Sequence, residues 1–335
     1  MILIKIFILI IISYFILKFS SKVAFKFNLL DYPVGRKLHE KPTPYTGGIS
    51  LAIIYIFFIF LLGDLESDLI NILIGCLILS IIGFIDDKFD INPIIKIIFQ
   101  TIPILFLINN NIYLTDLGNY EIIGLLNLGV YGKLFTLLCC LLIINAFNYC
   151  DGIDGLLSTL SVNSLFFFIL VFSFYNEIKL INFLVYLIIP ILIFLIFNFS
   201  FLKTNKIFLG DSGSNLMGLL IGTLMIYFYN AYKIDPSILI WSVAYIIYEF
   251  LSTNILRILN KKNPFKSGND HFHYQISYKY NLGSAGTNLI INLINIVLVI
   301  IGISINISFG SLYSLITFIL LFFVFFIVKI KLFKN

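Results

Sequence analysis

The chain has little charge: Asp, Glu, Lys and Arg make up 12% of its 335 residues, against 60% hydrophobic residues. A water-soluble fold of this size needs far more polar surface, so the composition excludes one and leaves an integral membrane protein, as a mean hydropathy of +1.04 also requires. Histidine is almost absent, with three residues, and the four cysteines, Cys76, Cys139, Cys140 and Cys150, form no CxxC and have no His at ligand spacing. That excludes a disulfide framework and a Cys/His zinc module, and leaves the thiols as small apolar fillers. The net charge of +5 comes from basic residues scattered among short loops, so nucleic acid is not an expected partner.

What is present in quantity is apolar runs of spanning length. They fall near residues 2–18, 46–62, 69–85, 94–110, 134–148, 156–175, 180–199, 212–230, 237–259, 287–306 and 311–329. The reading is an all-α integral membrane protein, a polytopic bundle of about 11 (10–11) transmembrane helices forming one domain over 1–335 without a separate soluble domain. The first run has the length of a signal peptide but no small-residue cleavage site, and is expected to stay as a helix. Numbering the loops alternately puts 18 of the 22 Lys and Arg on one side, leaving Lys5, Lys133, Lys179 and Lys233 on the other. Because short cytoplasmic loops retain positive charge, the N-terminus is expected outside and the C-terminus in the cytoplasm.

Every loop with unusual chemistry falls on that expected cytoplasmic side. Asp86, Asp87 and Asp90 form DDxxD at the end of the third run, a spacing that places carboxylates on one helical face if the helix continues. Residues 145–155 read NAFNYCDGIDG, with Asn145 and Asn148 about one turn apart and Asp151 and Asp154 each followed by a glycine that permits close approach of a ligand. Residues 206–214 read KIFLGDSGS and open into the eighth run, where backbone N–H groups, the helix dipole and Lys206 favour an anion, and Phe208 offers a ring for a nucleobase. His271 and His273 form HxH beside Asp270, a pattern that serves zinc, phosphate binding or neither. Glu249 lies inside the ninth run and calls for a partner or a cavity. Clustered carboxylates at one membrane face select a hard cation, Mg²⁺ with Mn²⁺ the alternative, and hence phosphate or pyrophosphate chemistry.

Taken together, PTPYTGGI at 42–49, GFIDDKFD at 83–90, NAFNYCDGIDGL at 145–156, FLGDSGS at 208–214 and the HxH loop resemble the polyprenyl-phosphate N-acetylhexosamine-1-phosphate transferases, glycosyltransferase family 4. The resemblance implies Mg²⁺-dependent transfer of a sugar 1-phosphate, GlcNAc-1-phosphate foremost, from a UDP-N-acetylhexosamine to undecaprenyl phosphate at the cytoplasmic face of the bacterial inner membrane. UMP would be released and a lipid-linked envelope glycan begun; a homodimer is left open. It further implies catalytic roles for Asp86, Asp87, Asp211, His271 and His273, with Asp211 and Asp87 on the metal. Substrate contacts would come from Lys41, Thr46, Asn145, Asn148, Asp151, Asp154, Lys206, Phe208 and Glu249. Two departures stand out: Tyr274 where the family usually carries a further His, and Glu249 where it usually carries Asp. The stretch NPFKSGNDHFH looks more like the GlcNAc branch than the phospho-MurNAc-pentapeptide branch, which is the alternative donor reading. A transporter or flippase is the remote alternative, because its carboxylates would lie near the bilayer midplane.

Overall fold

A computed structural model describes residues 2–33, 41–63, 65–201, 204–264 and 268–333. The elements in chain order are α1 (Ile2–Phe27), β1 (Leu30–Asp31), β2 (Thr43–Pro44), α2 (Gly47–Leu62), α3 (Ser67–Phe89), α4 (Pro93–Asn109), β3 (Asp116–Tyr120), β4 (Gly124–Asn127), α5 (Gly132–Tyr149), α6 (Leu156–Phe174), α7 (Ile178–Asn198), α8 (Gly210–Tyr232), α9 (Pro236–Leu239), α10 (Ala244–Leu259), α11 (Phe272–Lys279), α12 (Ser284–Phe309) and α13 (Ser311–Phe333). The architecture is all-α; its only sheets are the two-stranded antiparallel pairs β1–β2 and β3–β4 among the described residues.

The eleven expected apolar runs are helical, that at 237–259 being shared by α9, a 3-10 turn and α10, but the number of crossings that length and composition support is smaller. Among the described residues, eight helical segments are long and apolar enough to span a bilayer, and α2 and α4 are apolar but shorter. α8 opens on Gly-Asp-Ser-Gly-Ser-Asn and belongs to neither group. α1 runs to Phe27, past the apolar limit at residue 18, and α3 runs to Phe89, which puts Asp86 and Asp87 on the helix itself. α3 stops where Asp90 turns left-handed at φ 50°. α4 starts on a cap that its sequence announces: Asn92 accepts the Ile94 N–H at 2.9 Å and Pro93 occupies the first helical position.

The chain divides into two compact units, Met1–Asn110 with Leu165–Leu220, and Asn111–Ser164 with Ile221–Asn335. In the first, α1 packs on α2 and α7, α2 on α3 and α7, and α3 on α4. Its buried centre holds Leu51, Tyr55, Phe58, Phe183 and Phe194, and the Tyr55 hydroxyl donates to the Leu187 carbonyl at 2.9 Å. In the second, α10 packs on α5, α12 and α13, and α11 on α12. Trp241, Tyr245 and Tyr248 are buried there among Phe318 and Phe325, and the Trp241 indole donates to Ser314 at 2.9 Å.

Candidate active site

In the first unit, glycines bring three of the motifs together. A Cβ on Gly48 would overlap the backbone of Gly213, and one on Gly83 would overlap the carbonyl of Asp211, so the starts of α2 and α8 and the end of α3 meet at backbone contact distance. Backbone bonds then tie the segments: Gly47 and Gly48 N–H donate to the Phe208 and Leu209 carbonyls at 3.0 and 2.9 Å, and Phe208 N–H donates to Pro44 at 2.7 Å. This seats Gly210, at φ 72°, against the Asp87 carboxylate and presents the α8 N-terminus to it. Asp87 accepts the N–H groups of Asp211 at 2.8 Å and of Ser212 at 3.1 Å. The anion at this helix N-terminus is therefore supplied by the chain, and the two N–H groups expected to meet a phosphate are already engaged.

The remaining carboxylates converge on a residue that sequence reading counted only as a cytoplasmic lysine. Lys96 Nζ lies 2.8 Å from Asp86 Oδ2 and 2.5 Å from Asp211 Oδ2. Asp86 is buried, its other oxygen accepts the Ile91 N–H at 2.9 Å, and Asp90 points into solvent. The signal for Lys96 was present: a lysine one turn into an apolar helix, four residues before Gln100, which is fully buried. A single cation thus sits between Asp86 and Asp211, at a point lined by hard oxygen donors.

Among the described residues, no group of three or more His, Cys, Asp or Glu is placed to hold a metal by itself. Mg²⁺ does not need such a cage: it keeps waters and takes one or two carboxylates plus substrate phosphates, and the Asp86–Asp211 pair fits that requirement. Around the pair, the Phe208 ring packs on the cluster of Ala24, Leu29 and Tyr45, with Lys206 Nζ 5.2 Å from its centroid. Thr46 is buried with its hydroxyl 3.3 Å from that of Ser20, and Lys41 is exposed.

The second unit assembles the NAFNYCDGIDG and HxH segments. Asn145 and Asn148 lie half-buried on the last turns of α5, Asn145 bonding back to the Leu141 carbonyl at 2.8 Å. Asp151 and Asp154 lie in the turn that follows, also half-buried, and Asn288 of α12 donates to the Asp154 carbonyl at 3.3 Å. Tyr274, in the position where a further His was expected, donates its hydroxyl to the Gly152 carbonyl at 2.9 Å, and a Cβ on Gly152 would overlap the His273 ring. His273 is fully buried and neither ring nitrogen has a hydrogen-bond partner among the described residues. Burial, reinforced by neighbouring His271, pushes its pKa down to about 3, so the ring is neutral.

Arg257 anchors the approach to this loop. Its guanidinium makes a two-pronged contact with Asp270, at 2.8 and 2.5 Å, donates to the Pro264 carbonyl at 2.9 Å and lies over the Tyr149 ring. Burial alone would raise the Asp270 pKa, but the arginine outweighs it and holds the carboxyl below its usual range. Glu249 is fully buried, with Lys329 at 2.8 Å and His271 Nδ1 at 3.1 Å.

The family model for "Glycosyl transferase family 4" matches residues 69–229, which include Asp86, Asp87, the NAFNYCDGIDG segment and Asp211. The chain is 31% identical over 269 residues to an undecaprenyl-phosphate alpha-N-acetylglucosaminyl 1-phosphate transferase of Escherichia coli O157:H7, covering 77% of this chain and 71% of that one. Proteins of the same name from Yersinia pestis and Thermotoga maritima are 30% and 27% identical; the first match covers 77% of this chain and 72% of the relative, the second 93% and 94%.

Proposed function

The chain belongs to glycosyl transferase family 4, and on that premise we propose that it transfers GlcNAc 1-phosphate from UDP-GlcNAc to undecaprenyl phosphate at the cytoplasmic membrane face. The observation that carries the reading is the convergence of Asp86, Asp87 and Asp211 around Lys96 at the ends of apolar helices. A water-soluble nucleotide sugar and a lipid phosphate can meet only at the bilayer surface, where an anion-handling cluster of this kind has a use. The Lys and Arg bias of the loops supports the cytoplasmic side, with the N-terminus outside.

The reaction is one in-line displacement. An oxygen of the lipid phosphate bonds to the β-phosphorus of the UDP-sugar, the bond from that phosphorus to the bridging oxygen breaks, and UMP leaves with the electron pair. Asp86 and Asp211 would hold Mg²⁺, which neutralises diphosphate charge when bound. Asp87 fixes the direction of α8 and so the position of Asp211. Phosphoryl transfer asks chiefly for positioning and charge balance, which these groups and Lys96 provide. His271 and Lys41 contact phosphates in this reading, whereas His273, expected from the sequence to join them, is fully buried behind Gly152 and supports the loop from inside. Asn148, Asp151, Asp154 and Phe208 hold the uridine, with Thr46, Asn145 and Lys206 contributing further polar contacts to substrate.

The test is UMP release by detergent-purified protein given undecaprenyl phosphate, Mg²⁺ and, in separate reactions, UDP-GlcNAc, UDP-GalNAc or UDP-MurNAc-pentapeptide. The expected result is release with UDP-GlcNAc that needs both lipid and metal and stops with EDTA. Release from the pentapeptide donor alone would move the protein to the other branch, and none from any donor would overturn the assignment.

A further inference from the structure

Lys329 is fully buried near the end of α13, a largely apolar helix. Its ammonium contacts Glu249 Oε2 at 2.8 Å, Thr253 Oγ1 at 2.5 Å, Ser252 Oγ at 3.2 Å and the Glu249 carbonyl at 3.5 Å, so its N–H donors are all taken up. A buried ion pair is a costly way to join two helices, since a well-packed apolar pair of similar volume is commonly as stable or more so. The arrangement becomes intelligible from the other carboxylate oxygen. Glu249 Oε1 accepts the Phe272 backbone N–H at 3.0 Å and lies 3.1 Å from His271 Nδ1, so it grips the start of α11 at two successive residues. With the carboxylate ionised opposite Lys329 it can only accept, which puts the imidazole proton on Nδ1 and leaves Nε2 as the ring's working nitrogen.

We propose that Lys329 is a positioning residue for the transferase reaction: by keeping Glu249 ionised, it fixes the tautomer and orientation of His271 for contact with substrate phosphate. The inference rests on the functional reading above for what His271 does, though not for how it is held. It also explains Glu249 without a direct substrate contact, because both oxygens are committed to Lys329, His271 and the α11 backbone. The logic matches the carboxylate–histidine pairs that orient a ring through one nitrogen so that the other can act. The other charged or titratable groups around His271 are His273, stacked parallel at 5.3 Å between centroids, Tyr149 of α5, edge-on at 4.9 Å, Tyr274 at 6.2 Å, and the adjacent Asp270 with Arg257.

The chain has only three histidines, so the ring can be observed directly. In ¹⁵N-histidine-labelled protein carrying His39→Gln, His271 is expected to show the Nδ1–H tautomer. Both Glu249→Gln and Lys329→Met should populate the Nε2–H tautomer instead, because the amide, or a buried carboxyl that has taken a proton in place of the lysine contact, can donate to Nδ1. In the UMP assay each single variant should lose about 10- to 100-fold in kcat with KM for UDP-GlcNAc within about threefold. The doubly neutral Glu249→Gln/Lys329→Met protein, which keeps no unpaired buried charge and is the variant expected to fold best, should lose no more than the worse single. A Lys329→Met protein whose His271 ring keeps the Nδ1–H tautomer, or losses that add in the double variant, would overturn the proposal. A wild-type protein that releases no UMP would instead defeat the functional reading, while the resonance measurement would still decide how Lys329 acts on His271.

Discussion

Individual residues at the polar clusters divide into those whose chemistry was legible in the sequence and those whose partners were not. Asp86, Asp87, Asp211 and the two histidines stand out because acidic and imidazole groups are rare in so apolar a chain. Lys96, Arg257 and Lys329 were hidden by the same statistic that gave the topology: basic residues near the ends of spans look like orientation signals, and only packing distinguishes a solvated lysine from one buried against a carboxylate. Tyr274 stands where the resemblance led us to expect a further histidine, and its hydroxyl spans to Gly152, a contact no spacing rule anticipates. His273 carries a prediction at this scale. Held neutral with a pKa near 3, it takes no proton in the fold where an unfolded histidine does so below about pH 6.5. Its contribution to stability is therefore intact at neutral pH and is lost as pH falls from about 6.5 toward 3, by up to about 1.4 kcal/mol per unit. Thermal unfolding in detergent should show the midpoint dropping between pH 7 and 5 in wild type and less so in His273→Gln. Equal drops would mean that the proton is taken up elsewhere.

At the scale of elements, apolar length located the helices, while their ends followed local chemistry that it does not register. α3 carries its two aspartates on the helix because they have partners there, Lys96 for Asp86 and the α8 backbone for Asp87, so the helix does not stop where the apolar run does. The glycines of PTPYTGG, GFIDD and GDSGS serve in the first unit as contact points where three elements touch by backbone. A methyl group on Gly48 would fall on the backbone of Gly213, which cannot swing aside as a side chain can. The helix-propensity gain of Gly→Ala, at most about 1 kcal/mol, is smaller than overpacking costs of about 1–3 kcal/mol. Gly48→Ala and Gly83→Ala should therefore each lower the unfolding temperature and the activity together, whereas Gly283→Ala, exposed and with open space around its Cβ position, should change neither. A neutral Gly48→Ala would show that the junction is looser than the backbone contacts indicate.

For the molecule as a whole, the absence of charge settled membrane residence, and the ordered motifs pointed to a family that the relatives then established. The expected count of about eleven crossings was less secure than the helices themselves, because α2 and α4 are short and α8 opens on polar residues that serve the carboxylate cluster. That is a direct conflict between spanning a bilayer and building a site at its surface, and hydropathy alone cannot resolve it. In the proposed reaction the sugar travels to the lipid together with its phosphate, at a centre that depends on Asp211. The most direct measurement follows the label of [β-³²P]UDP-GlcNAc between water and the organic phase, with undecaprenyl phosphate and Mg²⁺, for the wild type and for an Asp211→Asn variant of matching thermal stability. The account predicts label in the lipid with the wild type and essentially none with the variant. Label that stays in water with the wild type, or moves to lipid at near wild-type rate with the variant, would contradict it.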